Sequence, residues 1–316
     1  MWTAKKGFSR PRLSVLAGHR GRLSNPAPVR RVSVTTRRPS RGSRYERVTG
    51  NPGSVVYPSV LMTRFPVTDW RAEQLRLTVF PMPGASIRSP EWWESMIGSP
   101  PDETASNPKR GSSLISGHHG TGKLLLKLEP DRIDWLFVPS ETEPDSLPAA
   151  LEFPTVGTVE EGLTTFSDIV ERWLAKDGIP EVSRIAFGAV LMHPETDHRS
   201  GYLRLPDYVP VRVDPGSSDF LYQINRSVTS DIGIDGLRIN RLSKWSVAKF
   251  MLFSFALTGT EIGQRPVPAP VYALRLELDI NTAPEFEGPI PRARLVDVYR
   301  ELVRLGREIV AEGIAQ

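Results

Sequence analysis

At 316 residues the chain is long enough to bury one large core or two modest ones. Its 39% hydrophobic and 24% charged residues are those expected of a globular protein, and no apolar run approaches the ~20 residues that span a bilayer. The complete lack of cysteine excludes disulfides, thiolate metal sites, iron–sulfur clusters and cysteine nucleophiles together, and it fits a reducing compartment.

The net charge of +4 conceals a division. Residues 1–50 hold 13 of the 40 basic residues and a single acid, Glu46, so they carry +12, while residues 51–316, with 27 basic and 35 acidic residues, carry −8. The basic excess is therefore no argument for nucleic-acid binding by the rest of the chain. Residues 1–61 mix Arg, Ser, Pro and Gly without helical or alternating periodicity, the composition of a disordered leader. Three readings fit this leader: a nucleic-acid arm carried by Arg30, Arg31, Arg37, Arg38, Arg41 and Arg44, a transit peptide, and a segment outside the mature protein, with translation starting at Met62. The change of composition there favours the third and sets the expected globular body at residues 62–316.

In the body, residues 74–80 alternate Leu75, Leu77 and Val79 with polar neighbours and predict a half-buried strand ended by Pro81 and Pro83. Ser89 followed by Pro90 predicts a helix start, with Trp92 and Trp93 inside the helix and Gly98 as its stop. Residues 99–122 are rich in Ser, Gly, Pro and Asn and read as a long loop. Residues 123–129 and 132–138 predict a hairpin about Pro130 and Asp131. Thr158 and Glu161 form a capping box opening an amphipathic helix that Gly178 stops.

A mostly apolar run at 185–192, interrupted by Gly188, predicts a buried central strand. Residues 196–218 are ambiguous. Residues 220–226 and 237–253 read as strands, the second long enough to bend or to continue into a helix. Residues 271–280 predict a strand with Tyr272, Leu274, Leu276, Leu278 and Ile280 on one face, and 291–311 a closing helix on which Gly306 permits close approach to a sheet. Strands and helices without regular alternation predict an α+β fold, mainly antiparallel sheet with helices packed on one face, organised as two similar halves without a repeat in residue identity.

Four features carry candidate chemistry. Gly117 to Lys123 matches the start of a phosphate-binding loop, but Leu124 stands where Ser or Thr must hold magnesium, and a strand rather than a helix follows. His193, Glu195, Asp197 and His198 form a ligand-rich cluster without diagnostic metal spacing, so no metal site is expected. Glu277 and Asp279 lie two apart on one strand face, flanked by Arg275 and Asn281. Carboxylates so presented can hold a divalent metal for phosphoryl hydrolysis, with His118 or His119 from the Gly-rich segment completing the catalytic set. Ile224, Asn225 and Arg226 recur as Ile239, Asn240 and Arg241, which with Arg238, Lys244 and Trp245 makes a candidate nucleic-acid surface if the two strands pair.

Three places, Arg184 to Pro194, the strand from Leu276 to Ile280 and the long closing helix, resemble a sporadically distributed family of bacterial proteins of unknown function. The resemblance spans most of residues 62–316 and implies a bacterial cytoplasmic protein without assigning catalytic residues. Pro194 and His198 depart from the family's pattern. Each polar cluster has a simpler structural role, so the expected function is a non-catalytic binding or assembly protein with a protein partner, no cofactor and no membrane. The alternatives are a metal-dependent phosphodiesterase or nuclease, and a nucleic-acid-binding protein without catalysis.

Overall fold

Alternation of apolar and polar residues dictates most of the architecture in the computed structural model, which describes residues 66–85, 87, 91–140, 151–251, 255–258, 261–264 and 269–314. The leader, Met62, Ser89 and Pro90 lie outside these residues.

The strands are β1 (Arg71–Pro81), β2 (Glu103–Asn107), β3 (Ser112–His119), β4 (Gly122–Glu129), β5 (Arg132–Pro139), β6 (Val182–Glu195), β7 (Leu221–Thr229), β8 (Arg238–Phe250), β9 (Phe255–Thr258), β10 (Glu261–Gln264) and β11 (Val271–Thr282). Nine of them form one antiparallel sheet in the order β2-β3-β4-β5-β1-β6-β11-β8-β7, and β9 and β10 pair as a separate hairpin. The helices are α1 (Trp92–Ile97), α2 (Val159–Ala175), α3 (His198–Arg204) and α4 (Leu295–Glu312). The expected α+β class, a mainly antiparallel sheet with helices on one face, is what the chain adopts.

Alternate residues of each strand supply the face under the helices: Leu75, Leu77 and Val79 on β1, Ile133, Trp135 and Phe137 on β5, Ile185, Phe187 and Leu191 on β6, and Leu274, Leu276, Leu278 and Ile280 on β11, all essentially buried. Each removes about 1.5–3 kcal/mol worth of apolar surface from water. Trp92 and Trp93 are buried in the core: Trp93 stacks on Trp135 at 6.2 Å and Trp92 meets the edge of Trp173 at 5.3 Å.

The strand order is that of two halves. In the first, β1 is followed by short α1, a meander β2–β5 and long α2; in the second, β6 is followed by short α3, strands β7, β8 and β11, and long α4. In each half the last strand of the sheet lies beside the first, and β1 joins β6 antiparallel at the seam. The long helices bury matching positions at one constant separation, Val159 with Leu295, Leu163 with Tyr299, Phe166 with Leu302, Ile169 with Leu305, Trp173 with Ile309 and Leu174 with Val310. The repeat is one of burial, not of identity. Across the pair, Ser167 and Tyr299 hydroxyls lie 3.0 Å apart, and Arg300 donates to Glu171 at 2.6 Å and Arg307 to Glu160 at 2.5 Å.

Local signals behave as their chemistry requires. At the start of α2 the Glu161 N–H donates to Thr158 Oγ1 at 3.3 Å while Glu161 Oε2 accepts from the Thr158 N–H at 2.9 Å, completing the capping box. Gly98 ends α1 with a φ of 79°, where glycine carries no steric penalty. The segment expected to be a loop at 99–122 instead holds β2 and the whole of β3. β2 is the sheet's outermost strand and fully exposed, so its pairing needs no apolar residues to announce it. The ambiguous stretch after β6 holds α3, and 237–253 is one strand, β8, over Arg238–Phe250, with no helix following within the described residues.

A Cβ at Gly306 would stand 3.2 Å from Phe187 and 3.5 Å from Leu278, so α4 packs closely on β6 and β11 there and leaves little room for a larger side chain. Gly306→Val is therefore expected to lower unfolding free energy by about 1–3 kcal/mol in urea denaturation through overpacking. Thr158→Ala, which removes the cap but no core atom, is expected to lower it by about 1 kcal/mol in the same measurement.

Candidate functional site

The Gly117–Lys123 segment is a two-residue hairpin turn between β3 and β4, with His119 opposite Gly122 and Gly120 at a φ of 56°. Its glycines serve packing. A Cβ at Gly117 would come 2.9 Å from Trp93, and one at Gly122 would come 2.4 Å from the Val138 carbonyl. His118 faces away from the helices and donates its backbone N–H to Asp102 at 2.7 Å, whereas His119 points to the helix side, its ring 6.4 Å from Phe137. Burial, with the nearby charge of Arg172, pushes the His119 pKa down.

Glu277 and Asp279 project from the same face of β11, as their spacing predicts. That face is the one opposite the helices. The histidines do not join them: β3 is five strands away in the sheet, roughly 24 Å at the usual interstrand spacing. The expected carboxylate–histidine constellation is not assembled, because four strands separate β3 from β11 in the sheet.

The other sequence candidates are likewise dispersed. His193 and Glu195 lie on the helix side, with Nδ1 and Oε1 3.6 Å apart and the His193 ring 5.8 Å from Trp70. Asp197 caps α3 by accepting the Ser200 N–H at 2.7 Å, and His198 packs on Tyr202 at 4.4 Å. Among the described residues no three His, Asp or Glu side chains are grouped to hold a metal. β7 and β8 do pair, but in a register that sets Arg226 opposite Arg241 and Ser227 opposite Asn240. Arg238 and Lys244 therefore face away from the helices, while Arg226, Arg241 and Trp245 face toward them. Trp245 is wholly buried, stacked at 5.0 Å on Tyr208. Alternation along β8 divides the expected nucleic-acid set between two faces.

What the fold does assemble is a furrow at the middle of the helix-free face, of about 280 Å³, lined by Gln74, Arg76, Gly188, Val190, Leu242, Lys244, Glu277 and Asp279 among others. Its floor is set by register: Arg76 on β1, Gly188 on β6 and Asp279 on β11 are directly opposite one another. A Cβ at Gly188 would stand 3.1 Å from the Arg76 guanidinium, so the arginine lies over the glycine. Arg76 Nε is shielded from solvent and has no hydrogen-bond partner among the described residues.

The neighbouring charges are already engaged. Glu277 accepts from Arg275 and, at 3.5 Å, from Lys244. Arg275 also reaches Glu73, 3.7 Å away. Burial raises the Glu73 pKa against the pull of Arg275, whereas at Glu277 burial acts upward but is outweighed by Arg275 and Lys244, and the carboxyl is held below its ordinary value. Asp279 accepts from Asn281 at 3.0 Å through Oδ1. Asn281 in turn accepts from Asn240 at 3.3 Å and Arg184 at 3.4 Å, and the Arg184 guanidinium lies 5.0 Å over Phe80.

Sequence reasoning identified Lys244, Glu277 and Asp279 but not Gln74 or Arg76, and it took Gly188 only as a break in an apolar run. Arg76 sits on the polar side of an ordinary alternating strand. The glycine opposite it is the one available signal, and it acquires meaning only once β1 is known to pair with β6.

No family model, curated protein or solved structure matches the chain.

The lowered pKa of Glu277 fixes a sign. The stability contributed by its ionised form is fully present above the ordinary value of 4.5 and fades as pH falls through the lower native value. Glu277→Gln is therefore expected to lose less stability than the unaltered protein on acidification below pH 4.5, as read by thermal melts across an acid series.

Proposed function

We propose that this chain is a non-catalytic binding protein that works through the helix-free face of its sheet. The observation that carries the reading is the furrow over Gly188, where a guanidinium without a partner among the described residues stands near Asp279 and near a Glu277 already held by Arg275 and Lys244. A hydrolytic centre needs the reverse, carboxylates free to take a metal or a proton. Glu277 is neutralised by two cations, and among the described residues no three His, Asp or Glu side chains are grouped to hold a metal beside Asp279.

The surface is suited to recognition. Nine strands give it a breadth of roughly 38 Å, and its middle presents Arg, Lys, Gln, Asn and carboxylate groups on a rigid ladder. Among the described residues no helix is long and apolar enough to cross a membrane, and the cysteine-free composition supports a place in the cytoplasm. Nucleic-acid binding is the weaker reading, since the bases that would serve it on β7 and β8 face opposite ways.

Incubation of the full chain with magnesium or manganese and bis-p-nitrophenyl phosphate is expected to release no nitrophenol above the metal-only control. Release that Asp279→Asn abolishes would replace binding with hydrolysis as the function.

A further inference from the structure

We propose that the furrow over Gly188 is a binding site for a free aliphatic α-amino acid, whose carboxylate lies on the Arg76 guanidinium and whose ammonium lies on Asp279. The inference rests on the binding reading above and names its ligand.

Charge and spacing carry the argument. Arg76 and Asp279 flank Gly188 in one cross-strand row, so their Cα atoms are two interstrand spacings apart, roughly 9.6 Å. No ion pair joins them among the described residues, and the furrow that both line is the gap open to a ligand. The gap is bounded by one positive group and one negative group, each with bonding capacity in reserve: Arg76 makes no hydrogen bond or ion pair among the described residues, and the Asp279 bond from Asn281 engages only Oδ1. A buried guanidinium edge without a partner is costly, and a planar carboxylate is the group its fork fits best. A carboxylate alone would face Asp279 and be repelled. An ammonium alone would face Arg76. A molecule bearing both on one carbon satisfies each end at once.

The remaining walls choose among zwitterions. Val190 and Leu242 add apolar surface to the furrow, Gln74 on β1 can serve the ligand's polar atoms as donor or acceptor, and Lys244, on β8 beyond Asp279, is held by Glu277 at 3.5 Å. A volume of about 280 Å³ lies just below the range of pockets for drug-sized ligands and suits a single amino acid. The lack of a side chain at residue 188 leaves room for the guanidinium, since a Cβ there would stand 3.1 Å from it.

Isothermal titration of the full chain with L-leucine and L-valine tests the site, using the N-acetyl derivative and the amide of each as probes lacking one charge. Binding of a free amino acid is expected, with each capped form weaker by about tenfold or more because one charge-assisted contact is lost. Arg76→Gln should abolish the preference for the free carboxylate, and Asp279→Asn the preference for the free ammonium. Gly188→Ala, checked for folding by its melting curve, should weaken binding of the free amino acid without restoring that of either capped form. Failure of both amino acids to bind, or equal binding of the capped forms, overturns the proposal and leaves the binding reading to the phosphodiester assay. Recovery of a chemically altered amino acid by mass spectrometry would overturn the binding reading itself.

Discussion

The antiparallel seam between β1 and β6 is the interaction on which the rest of the molecule depends. It joins two halves that each place their last sheet strand beside their first, and so turns two small sheets into one of nine strands. The same seam sets α2 and α4 side by side on one face, where Ser167 and Tyr299 meet, and leaves the other face to polar side chains. Slippage by one residue would exchange Leu75 and Leu77 with Arg76 and Thr78, burying a guanidinium among the helices. Register here is therefore fixed by a large hydrophobic penalty rather than by any one contact.

Charge placement on the helix-free face follows from how little water reaches its middle. Arg275 is shared between Glu73 and Glu277, and the two carboxyls respond oppositely: burial prevails at Glu73, while the cations prevail at Glu277, which has Lys244 as well. One arginine does not compensate two half-buried carboxylates equally. Thr78 illustrates the same economy farther along β1, donating to the buried Asp134 at 2.6 Å while Arg132 supplies the countercharge at 2.8 Å. Arg76, between these two networks, belongs to neither.

Much of the fold was legible because its signals are local. The capping box at Thr158, the hairpin turn at Pro130 and Asp131, the alternation in β1 and β11, and the small residue at Gly306 each depend on neighbours within a few positions. The two-half organisation was legible as an order of elements, and the strand order and the matching buried positions of α2 and α4 agree with it. β2 was not legible, since an exposed edge strand can be built from Glu103, Ala105 and Asn107 as readily as a loop can, and β3 was masked by the Ser and Gly that give its segment the composition of a loop. Among the site residues, the pair Glu277 and Asp279 was visible at spacing two, but Arg76 and Gly188 lie more than a hundred positions apart and only pairing unites them.

The two halves differ where they touch. On the helix-free face of the seam β1 supplies Gln74, Arg76 and Thr78, whereas β6 supplies Val190, Gly188 and Ala186. In these three rows β1 contributes the long polar side chains and β6 the floor. A symmetric seam would have two long side chains competing for one space, or two glycines with nothing to lie over them. The asymmetry gives a depression with a directed charge at its wall, and β11 completes it by presenting Asp279 from the opposite side of the same row. Similar halves thus build a site that neither contains, since every row across the furrow takes residues from both.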